Sequence, residues 1–147
     1  MGPHPGYLGG LLAEQLVLLR APNLVAFVTN IRAFPQGVLF VVDIEESTDE
    51  ILGGPDPQIV VEFSDGRSFR HDLDSYGDGL LHSRASEWSG RDGGASWRKE
   101  FWLPSLPPPG PVTFTVTLGQ SERWNGSASL EGRRLADAAK RALDLWK

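Results

Sequence analysis

Apolar side chains fall at every second position between residues 38 and 44. Val38, Phe40, Val42 and Ile44 share one face, and Asp43 and Glu45 point the other way. A period of two marks a half-buried strand. The run before it, 23–34, is rich in Val, Ile and Phe on both faces, as suits an inner strand, and Pro35-Gln36-Gly37 between the two is a turn signal. Residues 23–45 therefore predict a β-hairpin. The same period recurs with Ile59, Val61 and Phe63, and again with Val112, Phe114, Val116 and Leu118, where three threonines alternate outward. Ser64-Asp65-Gly66-Arg67 predicts a tight hairpin turn with positive φ at both central residues, and residues 68–73 return as the partner strand.

Residues 14–20 read as a further strand that Ala21-Pro22-Asn23 ends; a short amphipathic helix over 11–19 fits its weak alternation less well. The opening residues 1–12 carry too much Gly and Pro for regular structure and predict an arm anchored by Tyr7 and Leu8. Residues 84–88 and 96–103 flank a glycine-rich tip, 89–94. In the second arm Trp97, Lys99, Phe101 and Leu103 share one face, and Arg98, Glu100 and Trp102 the other. The proline run 104–111 predicts an extended, polyproline-like crossover long enough to span the roughly 10 Å between packed sheets. One more short strand is expected near Trp124. From residue 132 the period changes to that of a helix, with Leu135, Ala138, Ala139, Ala142 and Trp146 on one stripe. The helix is expected over 132–147 and docks through Leu135 and Trp146.

The pattern predicts an all-β fold: a two-sheet antiparallel β-sandwich, immunoglobulin-like or C2-like, of seven to nine strands with one C-terminal α-helix. At 147 residues with 40% hydrophobic and 22% charged side chains, the chain suits a single domain with its own core. It has no cysteine, which removes disulfides, thiolate metal sites and a cysteine nucleophile and fits a reducing compartment. The N-terminus lacks the basic start of a signal peptide, and no apolar run is long enough to span a bilayer. The expectation is a cytoplasmic protein with no membrane insertion and no cofactor.

The net charge of −5 is uneven. Eleven acids and two bases between Asp43 and Asp78 give −9, and the rest of the chain carries +4. The overall sign disfavours nucleic acid as a partner. The spacing of Asp72, Asp74 and Asp78 resembles the start of a calcium loop, but Tyr76 stands at the fifth position, where a ligand side chain is usual, and Ser83 at the twelfth, where a bidentate Glu is required. A calcium-dependent, C2-like module using the acidic loops around 43–56 and 72–78 is one alternative. A small hydrolase using His71 or His82 with Ser83 or Ser86 is another, although no nucleophile-elbow motif accompanies them.

The hairpin 84–103 interleaves bases with aromatics: Arg84, Trp88, Arg91, Trp97, Arg98, Lys99 and Trp102. Trp and Arg are enriched at the energetic centres of protein interfaces. The structural alternative is a cross-strand Trp88–Trp97 pair, with Trp102 covering a core. The favoured functional expectation is a non-catalytic interaction module that binds a protein partner or a second copy of itself through Trp88, Arg91, Trp97, Arg98 and Trp102.

PGYLGG at the start, the Asp-Gly-Arg turn, FWLPSLPPPGPVTF and the alanine-rich segment ending in Leu-Trp together resemble short uncharacterised proteins of high-GC actinobacteria. The resemblance covers nearly the whole chain. It implies a shared fold and transfers no activity and no site residue.

Overall fold

The computed structural model describes residues 2–3, 7–48, 57–71, 79–91, 94–119 and 124–144. Two antiparallel sheets pack face to face, as the alternation predicts. The large sheet has six strands in the order β2 (Gly10–Leu12), β4 (Leu24–Phe34), β5 (Gly37–Glu46), β9 (Gly94–Leu103), β8 (His82–Arg91), with β3 (Leu16–Ala21) also pairing with β4. The small sheet has the order β11 (Asn125–Glu131), β10 (Pro111–Thr117), β6 (Gln58–Glu62), β7 (Ser68–His71). The crossover 104–110 carries the chain from the large sheet to the small one, so the stiff proline run does what its composition predicts.

The inward rows are the predicted ones. Val38, Phe40, Val42 and Ile44 of β5 face Ile59 and Val61 of β6 and Val112, Phe114 and Val116 of β10 across the core, and all nine are fully buried. Phe40 sits at the centre. Its ring stacks on Phe101 at 5.5 Å and meets Phe114 edge-on at 5.2 Å, the offset geometries that aromatic quadrupoles favour.

Strand β4 shows why its sequence looked apolar on both faces. Leu24, Ala26 and Val28 point inward, then the register slips between Thr29 and Arg32, and Ile31 and Ala33 resume the inward row. Asn30 takes the extra step, with φ of 51°. Asn is among the few residues that tolerate this left-handed conformation.

Four expectations need correction. First, residues 7–12 are not an irregular arm: β1 (Tyr7–Leu8) and β2 are short strands, and the described residues form twelve strands against the predicted seven to nine. Gly and Pro argue against local propensity, but backbone pairing with distant strands overrides it. Second, α1 runs only over Gly132–Lys140, and Arg141 caps it with its N–H directed at Ala138 and Ala139. The chain beyond turns into β12 (Leu143–Asp144), which pairs with β1. Leu135 docks the helix as predicted, whereas Trp146 lies outside the described residues. Third, in the 63–67 turn only Gly66 has positive φ. Gly66 N donates to Phe63 O and Phe63 N to Arg67 O, a three-residue loop with a glycine bulge instead of the two-residue turn. Fourth, the acidic loop expected around 43–56 does not begin at 43: residues 43–46 complete β5, as the alternation over 38–45 predicts for the first three of them, with Asp43 and Glu46 buried.

The helix closes one end of the sandwich. Glu131 at its N-cap accepts from Arg133 N at 3.3 Å and from Gly110 N at 2.7 Å, tying the helix start to the crossover. Both bonds favour the ionised form, and the Glu131 carboxyl is held below the usual glutamate range.

Candidate partner-binding edge of the large sheet

The hairpin β8–β9 ends the large sheet, and among the described residues no strand lies beyond β8. Its register sets the fate of each aromatic. Trp97 pairs with Ile44 on one side and Trp88 on the other, all on the inward face. Trp97 is 5% exposed, within the core. Trp88, one strand further out, overhangs the edge and is 57% exposed. Trp102 faces outward but is only 2% exposed, because it packs with Phe34 and Leu39, its ring 5.9 Å from Phe34 in an edge-on contact. Gly9 backs onto this outer cluster, where a Cβ would lie 2.6 Å from the Phe34 ring.

The five expected contact residues therefore divide. Trp88 and Arg98 reach the surface, Trp97 and Trp102 are part of the packed structure, and the Arg91 side chain lies outside the described residues. The predicted Trp88–Trp97 cross-strand pairing is present in the backbone register.

A charged row crosses the outer face of the same hairpin. Phe27, Asp43, Arg98 and Glu87 are successive register partners on β4, β5, β9 and β8. Arg98 Nη1 donates to Asp43 Oδ1 at 3.4 Å, a long contact between a carboxylate side chain 8% exposed and a guanidinium side chain 45% exposed. Asp43 Oδ2 is shut off from solvent and has no hydrogen-bond partner among the described residues. One row along, Glu100 is shared by Arg32 at 3.4 Å and Arg84 at 3.7 Å. A cleft of about 130 Å³ lies between the rows, lined by Asn30, Val41, Ser86, Glu87, Arg98 and Glu100. It is too small for the roughly 300–1,000 Å³ typical of a small-molecule pocket.

Burial raises the Asp43 carboxyl above the ordinary aspartate range. Arg98 opposes the rise, and Glu45 and Glu87 add to it. A folded-state pKa above the unfolded one means that the native chain binds the proton more tightly. Ionised Asp43 therefore weakens the fold at neutral pH, and the penalty fades as pH falls through the raised value toward the unfolded one. Asp43→Asn is expected to raise the urea midpoint at pH 7, with the gain shrinking toward pH 3.5. A midpoint at pH 7 below that of the wild type contradicts this account.

The two candidate histidines lie at different places in the fold. His71 Nε2 lies 3.4 Å from Lys99 Nζ, and its ring packs on Phe101. His82 pairs with Trp102 in the β8–β9 ladder. Among the described residues no group of three or more His, Asp or Glu is placed to hold a metal ion. Asp72, Asp74 and Asp78 lie outside them. No helix among the described residues is long and apolar enough to cross a membrane.

The sequence signal for the row was available in part. Arg98 is one of the expected contact residues, and the alternation over 38–45 already sets Asp43 on the outward face of its strand. What the alternation does not contain is the burial of that face, which leaves the Asp43 side chain nearly shut off from solvent beside Arg98. Comparison with protein-family models, with curated proteins and with solved structures finds no match for this chain.

Proposed function

We propose that this chain is a non-catalytic β-sandwich module, immunoglobulin-like or C2-like in type, that binds a protein partner or a second copy of itself in the cytoplasm. The working surface is the hairpin 84–103, with Trp88 and Arg98 as its exposed contacts. The observation that carries the reading is Trp88: a tryptophan 57% exposed on a ten-residue edge strand. An exposed aromatic on a strand that ends its sheet among the described residues suits association by edge pairing.

Trp88→Ala is expected to leave the far-UV circular dichroism spectrum unchanged, because the side chain is largely outside the core. It is expected to lower pull-down recovery of a bound protein, or to shift the solution mass from dimer to monomer. Unchanged recovery together with unchanged mass sinks the reading.

A further inference from the structure

Two rows of side chains cross the large sheet and stop at β8. On the inward face the row is Ala26, Ile44, Trp97, Trp88, and on the outward face it is Phe27, Asp43, Arg98, Glu87. The first is apolar throughout and ends on an exposed tryptophan. The second alternates in sign from Asp43 to Arg98 to Glu87 and ends on a carboxylate. Arg32 and Arg84 are engaged with Glu100, so among the described side chains Arg98 stands against Asp43, Glu45 and Glu87, and the row ends on the Glu87 carboxylate. The buried, unpartnered oxygen of Asp43 lies in the same row.

The edges of the small sheet are covered. Strand β7 is four residues long, and residues 79–81 lie against it through Arg70 N to Gly79 O and Leu81 N to Arg70 O. On the far side, β3 lies so close to β11 that a Cβ at Gly126 would overlap the carbonyl oxygen of Leu18. Strand β8 has a register shift between Ser83 and Ala85, and Gly2 lies against the Arg84 side chain at that end. Its remaining residues, 85–91, run without proline, lysine or a further bulge, and their charged residues are Glu87 and Arg91.

We propose that β8 takes up an extended segment of a different polypeptide as the next strand of the large sheet, and that the two interrupted rows select a basic residue beside Glu87 and an adjacent apolar residue beside Trp88. The inference rests on the interaction-module reading and specifies its partner. Residues opposite each other on neighbouring strands bring their Cβ atoms to about 4.5–5.5 Å, so each row continues onto the incoming strand at one defined position. Glu87 and Trp88 are consecutive, so the two selected residues are consecutive as well. In an antiparallel complex the apolar residue comes first.

A second copy of β8 satisfies the pattern poorly. Antiparallel self-pairing gives Glu87 an arginine only in the registers that set Trp88 opposite Ser83 or Gly90. A different polypeptide is therefore the better occupant.

The test uses fluorescein-labelled heptapeptides and anisotropy titration against the full chain. Ser-Thr-Phe-Arg-Val-Thr-Ser is expected to bind about three- to thirtyfold tighter than its Phe-Glu counterpart, the difference between an attractive and a repulsive cross-strand pair. Glu87→Lys is expected to invert the order, and Trp88→Ala to weaken both peptides. Both substitutions are at exposed positions, and circular dichroism checks that each variant is folded. Equal affinities, an order unchanged by Glu87→Lys, or no binding at millimolar peptide overturns the inference. If any of these occurs while Trp88→Ala still abolishes pull-down or self-association, the selection rule fails and the module reading stands. If Trp88→Ala changes neither, the module reading fails as well.

Discussion

Phe40→Ala is expected to destabilise the fold by about 3–5 kcal/mol, the range for removing a buried phenylalanine. The position is fully buried on the central strand of the large sheet. Its ring is in contact with Phe101 of the same sheet and Phe114 of the opposite one, at 5.5 and 5.2 Å, so the substitution opens a cavity between the layers and breaks two aromatic pairs at once. A domain of this kind has roughly 5–15 kcal/mol of stability in all, so the variant loses a large fraction of it. Urea denaturation followed by tryptophan fluorescence checks the value. Phe40→Leu, which keeps most of the volume, is expected to cost clearly less, and equal costs for the two variants contradict the interlayer role.

Gly10→Ala is the second large effect, and it acts through crowding. Strand β2 runs beneath α1, and a Cβ at Gly10 would overlap the carbonyl oxygen and carbon of Ala138. The obstacle is helix backbone, which has no rotamer to move. Either the helix lifts from β2 or the strand leaves β4, and overpacking of this sort typically costs about 1–3 kcal/mol. Thermal unfolding is expected to shift down by roughly 2–12 °C for a chain of this size. Amide exchange is expected to quicken at Leu135 and Ala138 more than at Val42. A uniform increase across the chain, or an unchanged melting temperature, contradicts helix docking at this point.

How much of this was legible in the sequence depends on where each element finds its partner. Strands β6 and β10 each have one face on the core, and their alternation names the buried residues, whereas in β5 it names the inward row but not Leu39, Val41 and Asp43, which are buried on the outer face as well. Strand β4 was legible as a strand but not as a bent one. The slip at Asn30 moves the inward set from even to odd positions, and a fixed period of two cannot express that. The ends of the chain were illegible for another reason. Neither Tyr7–Leu8 nor Leu143–Asp144 has strand character by itself, and each becomes strand because the other lies beside it.

The aromatic hairpin shows the same limit in the candidate site. Composition singled out Trp88, Trp97 and Trp102 as a group. Their exposures of 57%, 5% and 2% follow from register and sheet order, which composition does not contain. Trp97 is buried because its strand's inward face belongs to the core between the sheets, and Trp102 because Phe34 and Leu39 reach it on the outer face. The charged row through Asp43 needed the register of three strands before it became visible.

The β1–β12 ribbon has a consequence for the order in which the fold forms. The hairpins β4–β5 and β8–β9 close over a few residues, whereas β1 and β12 come from opposite ends of the described chain. Loop-closure entropy rises with the logarithm of the intervening length. Two residue pairs repay little of that cost unless the sheets and the helix have already shortened the distance. The ribbon is therefore the last structure to assemble and the first to open, acting as a clasp that reports on the completed sandwich. In a native-state exchange experiment its amides sample solvent through a small local opening, while those of β5 wait for the whole molecule to unfold.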